Sequence, residues 1–327
     1  MALRYLVKRL AAGVGVLVGA TIIIFLLVNA AGDPLGPLEQ QQPPVPRAVI
    51  AAERLRLGLN KPLPERYLQW LAGVVHGNWG PSIDPATNIG QQLAQRIPVT
   101  MELVGTALVI AIILALVVGT IAAVRPYGIF DSLSTPTSFF LLALPSFWLA
   151  VLLKQLGILY NQRTETQTFY TVGSSSPNLA PGIGGYILNI AGHVILPTVT
   201  LALIHYASWS RYQRAAVLDS LSSDYVKSAV LRGLSYRQVL WHAVRPALIP
   251  VVTVIALDIP ALLSGTVIVE TVFQWNGMGA FLLQSITEDD PNAIMAWFLV
   301  AAAAVVGFNL IADLAYALLD PRIRYGT

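Results

Sequence analysis

From Leu10 to Ala31 the chain carries no ionisable side chain, and at about 1.5 Å of helical rise per residue that run covers about 33 Å, enough for the hydrocarbon core of a bilayer. Further runs of spanning length lie near residues 100–123, 134–158, 193–212, 247–272 and 293–318. The expected fold class is therefore an all-α membrane protein with six transmembrane helices. Only 11% of the 327 residues are charged, against about 25% in soluble domains, which excludes disorder and nucleic-acid wrapping as the chain's business. The net charge of +3 is too small to argue for a polyanionic partner. With no Cys, disulfides, thiol nucleophiles and thiolate metal sites are absent. His76, His193 and His242 fall in loops or span ends without ligand spacing, so no bound metal is expected.

The few charges orient the spans. Basic residues in short segments near helix ends collect on the cytoplasmic side. The N-terminus, the 124–132 turn, the 211–246 loop and the C-terminus hold 3, 1, 6 and 2 Lys or Arg, while the short loops on the opposite side, 159–192 and 273–292, hold only Arg163. Twelve against one places both termini in the cytoplasm. Arg4, Lys8 and Arg9 precede the first run without a convincing cleavage site, which reads as a retained anchor. The chain then divides into 1–31 with the first span, an outer segment 32–99, a six-span core completed by 100–318, and a tail 319–327.

The outer segment opens with a Pro- and Gln-rich linker, Pro34 to Pro46. Two short helices follow, Pro46 to Leu57 stopped by Gly58 and Pro64 to Val75 stopped by Gly77. The second places Tyr67, Leu68, Leu71, Val74 and Val75 on one face beside Trp70, as expected for a helix on the membrane surface or capping the bundle. In the 211–246 loop, Ser223 or Asp224 can cap a helix from Tyr225 to Arg232, and Gly233 supplies its left-handed stop. Ser235 and Gln238 have capping-box spacing for a second helix that ends before Pro246. Tyr225, Ala229 and Arg232 share one face of the first helix, with Val226 and Val230 beside them, a surface fit for a groove on a cytosolic partner.

Inside the spans each charge needs a reason. Glu102 is expected in the first turn of span two, where it complements the helix dipole. Lys154 is expected to snorkel outward. Asp258, two residues before Pro260, and His205 are expected at similar depth as a hydrogen-bonded pair. That pair leaves an ion-coupled secondary transporter as an alternative function. Ser208 and Ser210 near His205 form only a weak trio for an intramembrane enzyme.

The stretch D-Y-V-K-S-A-V-L-R-G-L-S from Asp224 to Ser235, continued by V-L-W-H-A-V-R-P-A-L-I-P to Pro250, resembles the ATPase-docking loop of binding-protein-dependent ABC import permeases of the dipeptide, oligopeptide and nickel branch. L-P-S-F-W-L-A from Leu144, V-E-T-V-F-Q-W-N-G-M-G from Val269, D-P-R-I-R-Y-G from Asp320 and Y-L-Q-W-L-A-G-V-V-H-G-N-W-G from Tyr67 agree with it. Lys227 and Ser228 stand where the general motif has Glu and Ala. The outer segment between the first two spans marks the first, B-type, of the two permeases that pair in this branch.

The resemblance implies the type I importer permease fold, with Asp224, Tyr225, Ala229, Arg232, Gly233, Leu234 and Ser235 meeting an ATPase. It implies Pro145, Phe147, Asp258, Pro260 and Glu270 as pathway or gate positions. The implied partners are a homologous second permease, two cytosolic ATPase domains that hold ATP and Mg, an external peptide-binding protein and membrane lipid, with no nucleic acid. The implied location is the bacterial plasma membrane. No G-x-x-x-x-G-K-[ST] segment occurs, so this chain is expected to be a non-catalytic subunit.

Overall fold

The computed structural model describes residues 2–176 and 183–319; the D-P-R-I-R-Y-G segment from Asp320 and the tail lie outside them. The described residues form helices only: α1 (Ala2–Ala30), α2 (Gly36–Glu39), α3 (Arg47–Arg56), α4 (Leu63–Val75), α5 (Ile89–Val124), α6 (Ile129–Ala143), α7 (Ser146–Thr164), α8 (Ile183–Ser222), α9 (Asp224–Leu231), α10 (Tyr236–Phe273), α11 (Met278–Thr287) and α12 (Pro291–Leu319). Helices are what a backbone in lipid requires, because each closes its own hydrogen bonds. Helices α1, α5, α8, α10 and α12 each contain an apolar stretch of spanning length, and α6 with α7 makes a sixth span only as a pair bent by 108°.

That bend corrects the expectation of one straight helix over 134–158. Pro145 has no N–H to donate and forces the residue before it out of helical conformation; Leu144 accordingly sits at φ −80°, ψ 130°. Elsewhere proline does not end the helix. Helix α5 starts at Ile89 and runs through Pro98, its first turn capped by the Asn88 side chain, which accepts from Gln91 N at 3.0 Å. Glu102 is thus an exposed mid-helix residue rather than a first-turn one. Helix α10 runs through Pro246, Pro250 and Pro260 without a break, where a stop before Pro246 was expected. Buried Ala243, Ala247 and Val251 hold that stretch by packing, which offsets the lost backbone bonds. With α8 reaching Ser222, the expected 211–246 loop is two helix ends and a third helix joined by short turns.

The described residues form two compact units, one on those of Met101–Trp275 with those from Gly307 to Leu319, the other on Leu3–Thr100 and Asn276–Val306. The first unit is organised on α8, which buries Ala202, Tyr206, Ala207 and Trp209 against Val104, Ala111 and Ala115 of α5, Leu141 of α6 and Leu262 of α10. Lys154 does not snorkel: its Nζ donates to the carbonyl of Val272 at 2.6 Å, satisfying an open acceptor in the last turn of α10. His193 is buried in α8 and pins the segment before it, with Nδ1 2.9 Å from the Gly173 carbonyl and Nε2 2.9 Å from Ser176 Oγ.

In the second unit α3 and α4 form as expected, and Gly58 and Gly77 adopt φ of +68° and +80°. Tyr67, Trp70, Leu71 and Val74 of α4 pack on Phe25 of α1 and Met295 of α12, whereas Leu68 and Val75 turn outward. The proline-rich linker is not wholly irregular. It contains α2, and Arg54 of α3 bonds both Asp33 (2.5 Å) and Glu39 (3.1 Å) across it. Helix α11 was also unexpected; its Met278 and Phe281 pack with Ile89, Leu93, Ala293 and Ala296.

Gly119 sets the closest approach of α5 to α8. A Cβ there would lie 2.5 Å from the Ser210 carbonyl oxygen and 2.8 Å from Gln213 Cβ. Gly119→Ala is expected to destabilise the protein by roughly 1–3 kcal/mol through overpacking, while Gly105→Ala, with open space around it inside α5, is expected to leave stability undiminished or raise it by up to about 1 kcal/mol. Thermal unfolding of the two variants in detergent checks this.

Candidate functional site

Helix α9 is the short helix between two spans. Its N-cap position is Ser223, with extended backbone at φ −71° and ψ 153°, but the Ser223 hydroxyl turns back to the carbonyl of Ser220 instead of capping α9. Gly233 ends the helix at φ +75°, and Leu234 N bonds back to the Ala229 carbonyl at 3.3 Å. This is the left-handed stop expected from the sequence. The Ser235–Gln238 capping box also forms, with Gln238 Oε1 accepting from Ser235 N at 2.9 Å, and it opens α10.

Which side of α9 faces inward differs from expectation. Val226 and Ala229 are buried and seat α9 on the bundle, so Ala229 is not available to a partner. Its small side chain permits the approach of α9 to α8 and α10. The outward residues are Asp224, Tyr225, Lys227, Ser228, Val230, Leu231, Arg232, Gly233 and Ser235, with Leu234 half-buried. Leu231 is 87% exposed and Val230 57%. Tyr236 and Trp241, on the first two turns of α10, are exposed too and extend the patch.

Ser220 holds the corner. Its hydroxyl donates to the Ala243 carbonyl of α10 at 2.7 Å, which uses its one proton. The Tyr225 hydroxyl, in contact with the same oxygen, is therefore the donor to Ser220. The three helices meet through one side chain.

Two turns further back, Arg214 of α8 donates two bonds to Asp131, Nε to Oδ1 at 2.6 Å and Nη2 to Oδ2 at 2.7 Å. Asp131 is 3% exposed and also accepts from Tyr127 N (2.8 Å) and Thr135 Oγ1 (3.1 Å). A forked guanidinium on a carboxylate fixes orientation as well as distance. The pair ties α8 to the first turn of α6, the helix that leads to the Pro145 bend. Reading the sequence missed Asp131, Arg214 and Ser220 as a set. Only the presence of Asp131 and Arg214 near span ends hinted at a pairing.

The expected pathway positions differ in exposure. Pro145 stands at the bend, Phe147 and Pro260 are exposed, and Glu270 is fully buried. Asp258 is half-buried, and its Oδ2 accepts from Trp209 Nε1 at 2.7 Å. The expected Asp258–His205 hydrogen bond is replaced by this one: Trp209 takes the carboxylate, and the His205 ring lies 5.3 Å from the indole instead. Ser210 bonds Ser138 and the Ala207 carbonyl, which removes it from the trio proposed around His205.

Residues 115–325 match the family described as the binding-protein-dependent transport system inner membrane component, and residues 2–115 match the N-terminal component of the same systems. The chain belongs to this family. It is 36% identical over 322 residues to the oligopeptide transport system permease protein OppB of Mycobacterium tuberculosis, covering 98% of this chain and 99% of that protein. It is 35% identical over 324 residues to the oligopeptide permease AppB of Bacillus subtilis, with 98% and 99% covered. With the dipeptide permease DppB of Escherichia coli it shares 30% over 339 residues, covering 99% of each. The chain is thus a multi-pass ABC transporter permease of a bacterial inner-membrane family, with the type I importer fold.

Breaking the Asp131–Arg214 pair strands a charge in a buried site. Asp131→Ala is expected to destabilise the protein by roughly 3 kcal/mol, the lower end for a buried pair, because the Arg214 side chain keeps 26% exposure. Adding Arg214→Leu to that variant recovers part of the loss. Unfolding curves of the single and double variants measure both effects.

Proposed function

We propose that this chain is the first permease subunit of a peptide importer. It pairs with a similar second permease, receives di- or oligopeptides from an external binding protein, and is driven by two cytosolic ATPase domains that hold ATP and Mg. The names of its relatives support the peptide class. The distribution of Lys and Arg supports a cytoplasmic location for α9 and both chain ends.

The observation that carries the reading is the two-sided construction of α9. Val226 and Ala229 anchor it inward, while Val230, Leu231 and the adjoining Tyr236 and Trp241 are left outward beside Arg232 and Arg237. Exposed apolar side chains on a polar, water-facing corner are what a partner's groove buries. The ATPase then acts mechanically. Nucleotide binds the closed ATPase pair better than the open pair, which supplies the differential affinity that any ligand-driven change needs. Closure displaces α9, and Ser220 passes the displacement to α8 and α10 together. Arg214 carries it on to α6 and the bend at Pro145. The helices reorient as stiff bodies, the ordinary repertoire of such transitions.

Leu231→Asp is expected to weaken copurification of the ATPase by about tenfold or more with the permease's own melting temperature unchanged. Val226→Asp, on the buried side, is expected to lower that melting temperature first. Retention of ATPase by the Leu231 variant at the unmodified level overturns the docking assignment.

Transport separates the reading from an ion-coupled carrier. In proteoliposomes holding the whole assembly, uptake of labelled tripeptide is expected to require ATP and to survive collapse of the proton gradient by a protonophore. Uptake that runs without ATP and stops with the protonophore favours the carrier instead.

A further inference from the structure

The second unit contains a cavity of about 310 Å³ near the last turns of α1, the turn between α3 and α4, and the start of α12. It is lined by apolar Phe25, Trp70 and Met295 and by three cationic side chains, Arg56, Lys61 and Arg66. No Asp or Glu is among the described residues that line it. A site with three cations and no lining acid is matched to an anion.

The three cations are not equally committed. Arg56 donates to Glu53 at 2.6 Å and to the Ile83 carbonyl at 3.0 Å. Lys61 donates to Gln69 Oε1 at 2.8 Å and stands 3.6 Å from Glu65. The Arg66 guanidinium donates no hydrogen bond to any described residue, although the residue's backbone N–H bonds the Pro62 carbonyl. Its guanidinium lies 6.0 Å from the centre of the Phe25 ring and feels Asp33 only through space, and Asp33 is already bonded by Arg54. Burial without a close anion lowers the Arg66 pKa from its ordinary value, since desolvation disfavours the charged form. Trp70 adds a second open donor: it is 7% exposed, and its Nε1 finds no acceptor among the described residues. Buried indole N–H groups ordinarily have one.

Placement identifies the kind of anion. Phe25 is close to the end of α1 and Pro291 is the first residue of α12, so the cavity lies at the level where two spans reach the membrane surface. On α1 just before that level, Ile22, Ile23, Leu26 and Leu27 are exposed. A free anion gains only the cations. An amphiphile gains the cations for its head and that apolar face for its chains. We propose that this cavity binds the phosphodiester headgroup of an anionic phospholipid, with Arg66 and Trp70 as its principal donors.

The test is thermal stabilisation of the full-length, delipidated protein in neutral detergent, titrated with phosphatidylglycerol, phosphatidylcholine or inorganic phosphate. Phosphatidylglycerol is expected to raise the melting temperature saturably, and Arg66→Gln to weaken its apparent affinity by about tenfold, the size of one lost hydrogen bond to a charged group. Trp70→Phe is expected to weaken it less, and Arg66→Lys to restore most of it. If Arg66→Gln fails to fold, the Trp70→Phe comparison carries the test alone. Equal stabilisation by phosphatidylcholine, stabilisation by inorganic phosphate that matches the lipid, or an affinity unchanged in every folded variant overturns the assignment.

Discussion

A polar side chain in a lipid-embedded bundle has no water to fall back on, so its hydrogen-bond partner has to come from its own or a neighbouring helix. Helix α8 carries a ladder of such groups. Thr198 meets Thr106 of α5 at 3.0 Å, Trp209 meets Asp258 of α10, Ser210 meets Ser138 of α6, Gln213 meets Thr120 of α5, Arg214 meets Asp131 and Ser220 meets Ala243. Each of the neutral bonds is worth only about 0.6 kcal/mol on average in a membrane. Their joint effect is on register, because sliding α8 along any neighbour by one turn would leave several donors open at once. Gly119 belongs to the same arrangement: the missing side chain lets α5 come close enough for Gln213 Nε2 to reach Thr120 at 3.1 Å.

Much of this was legible in the chain because lipid leaves a coarse signature. Charge-free runs mark candidate spans, so the five helices of spanning length and the run that became the bent α6–α7 pair were readable without any contact information. The left-handed Gly233 and the Ser235–Gln238 box were readable for the opposite reason: both are local, decided within four residues. Proline was the ambiguous sign. Pro145 breaks a span while Pro98, Pro246, Pro250 and Pro260 lie inside continuous helices, and the difference is made by what packs around each, which the residue itself does not encode. The inward side of α9 was misjudged for the same reason. Its eight residues offer apolar positions on more than one side, and only the partners on α8 and α10 decide that Val226 and Ala229 go in. Asp131 and Arg214, 83 positions apart, leave no local pattern at all. The Asp258–His205 pairing failed because depth alone does not choose between acceptable donors, and Trp209 stands in the same helix one turn beyond His205.

The corrected α9 changes how a substitution in this corner should be understood. A charge at Ala229 would disturb the seat of the helix inside the permease, so loss of an ATPase from such a variant would say little about the contact itself. Under the proposed docking, Leu231 and Val230 would report on the contact, because their side chains face outward. The same sorting applies to Tyr225, whose ring is half exposed while its hydroxyl is an internal donor.

The single hydroxyl of Ser220 also bears on how movement is shared. Two spans that received a push through separate attachments could yield in turn, each at its own threshold. Here the α9 phenol, the end of α8 and a backbone carbonyl of α10 converge on one oxygen atom, so neither span can follow α9 while the other stays behind unless that junction breaks. The corner has no slack, and under the proposed docking a stroke delivered to it would be divided between both spans at the same instant.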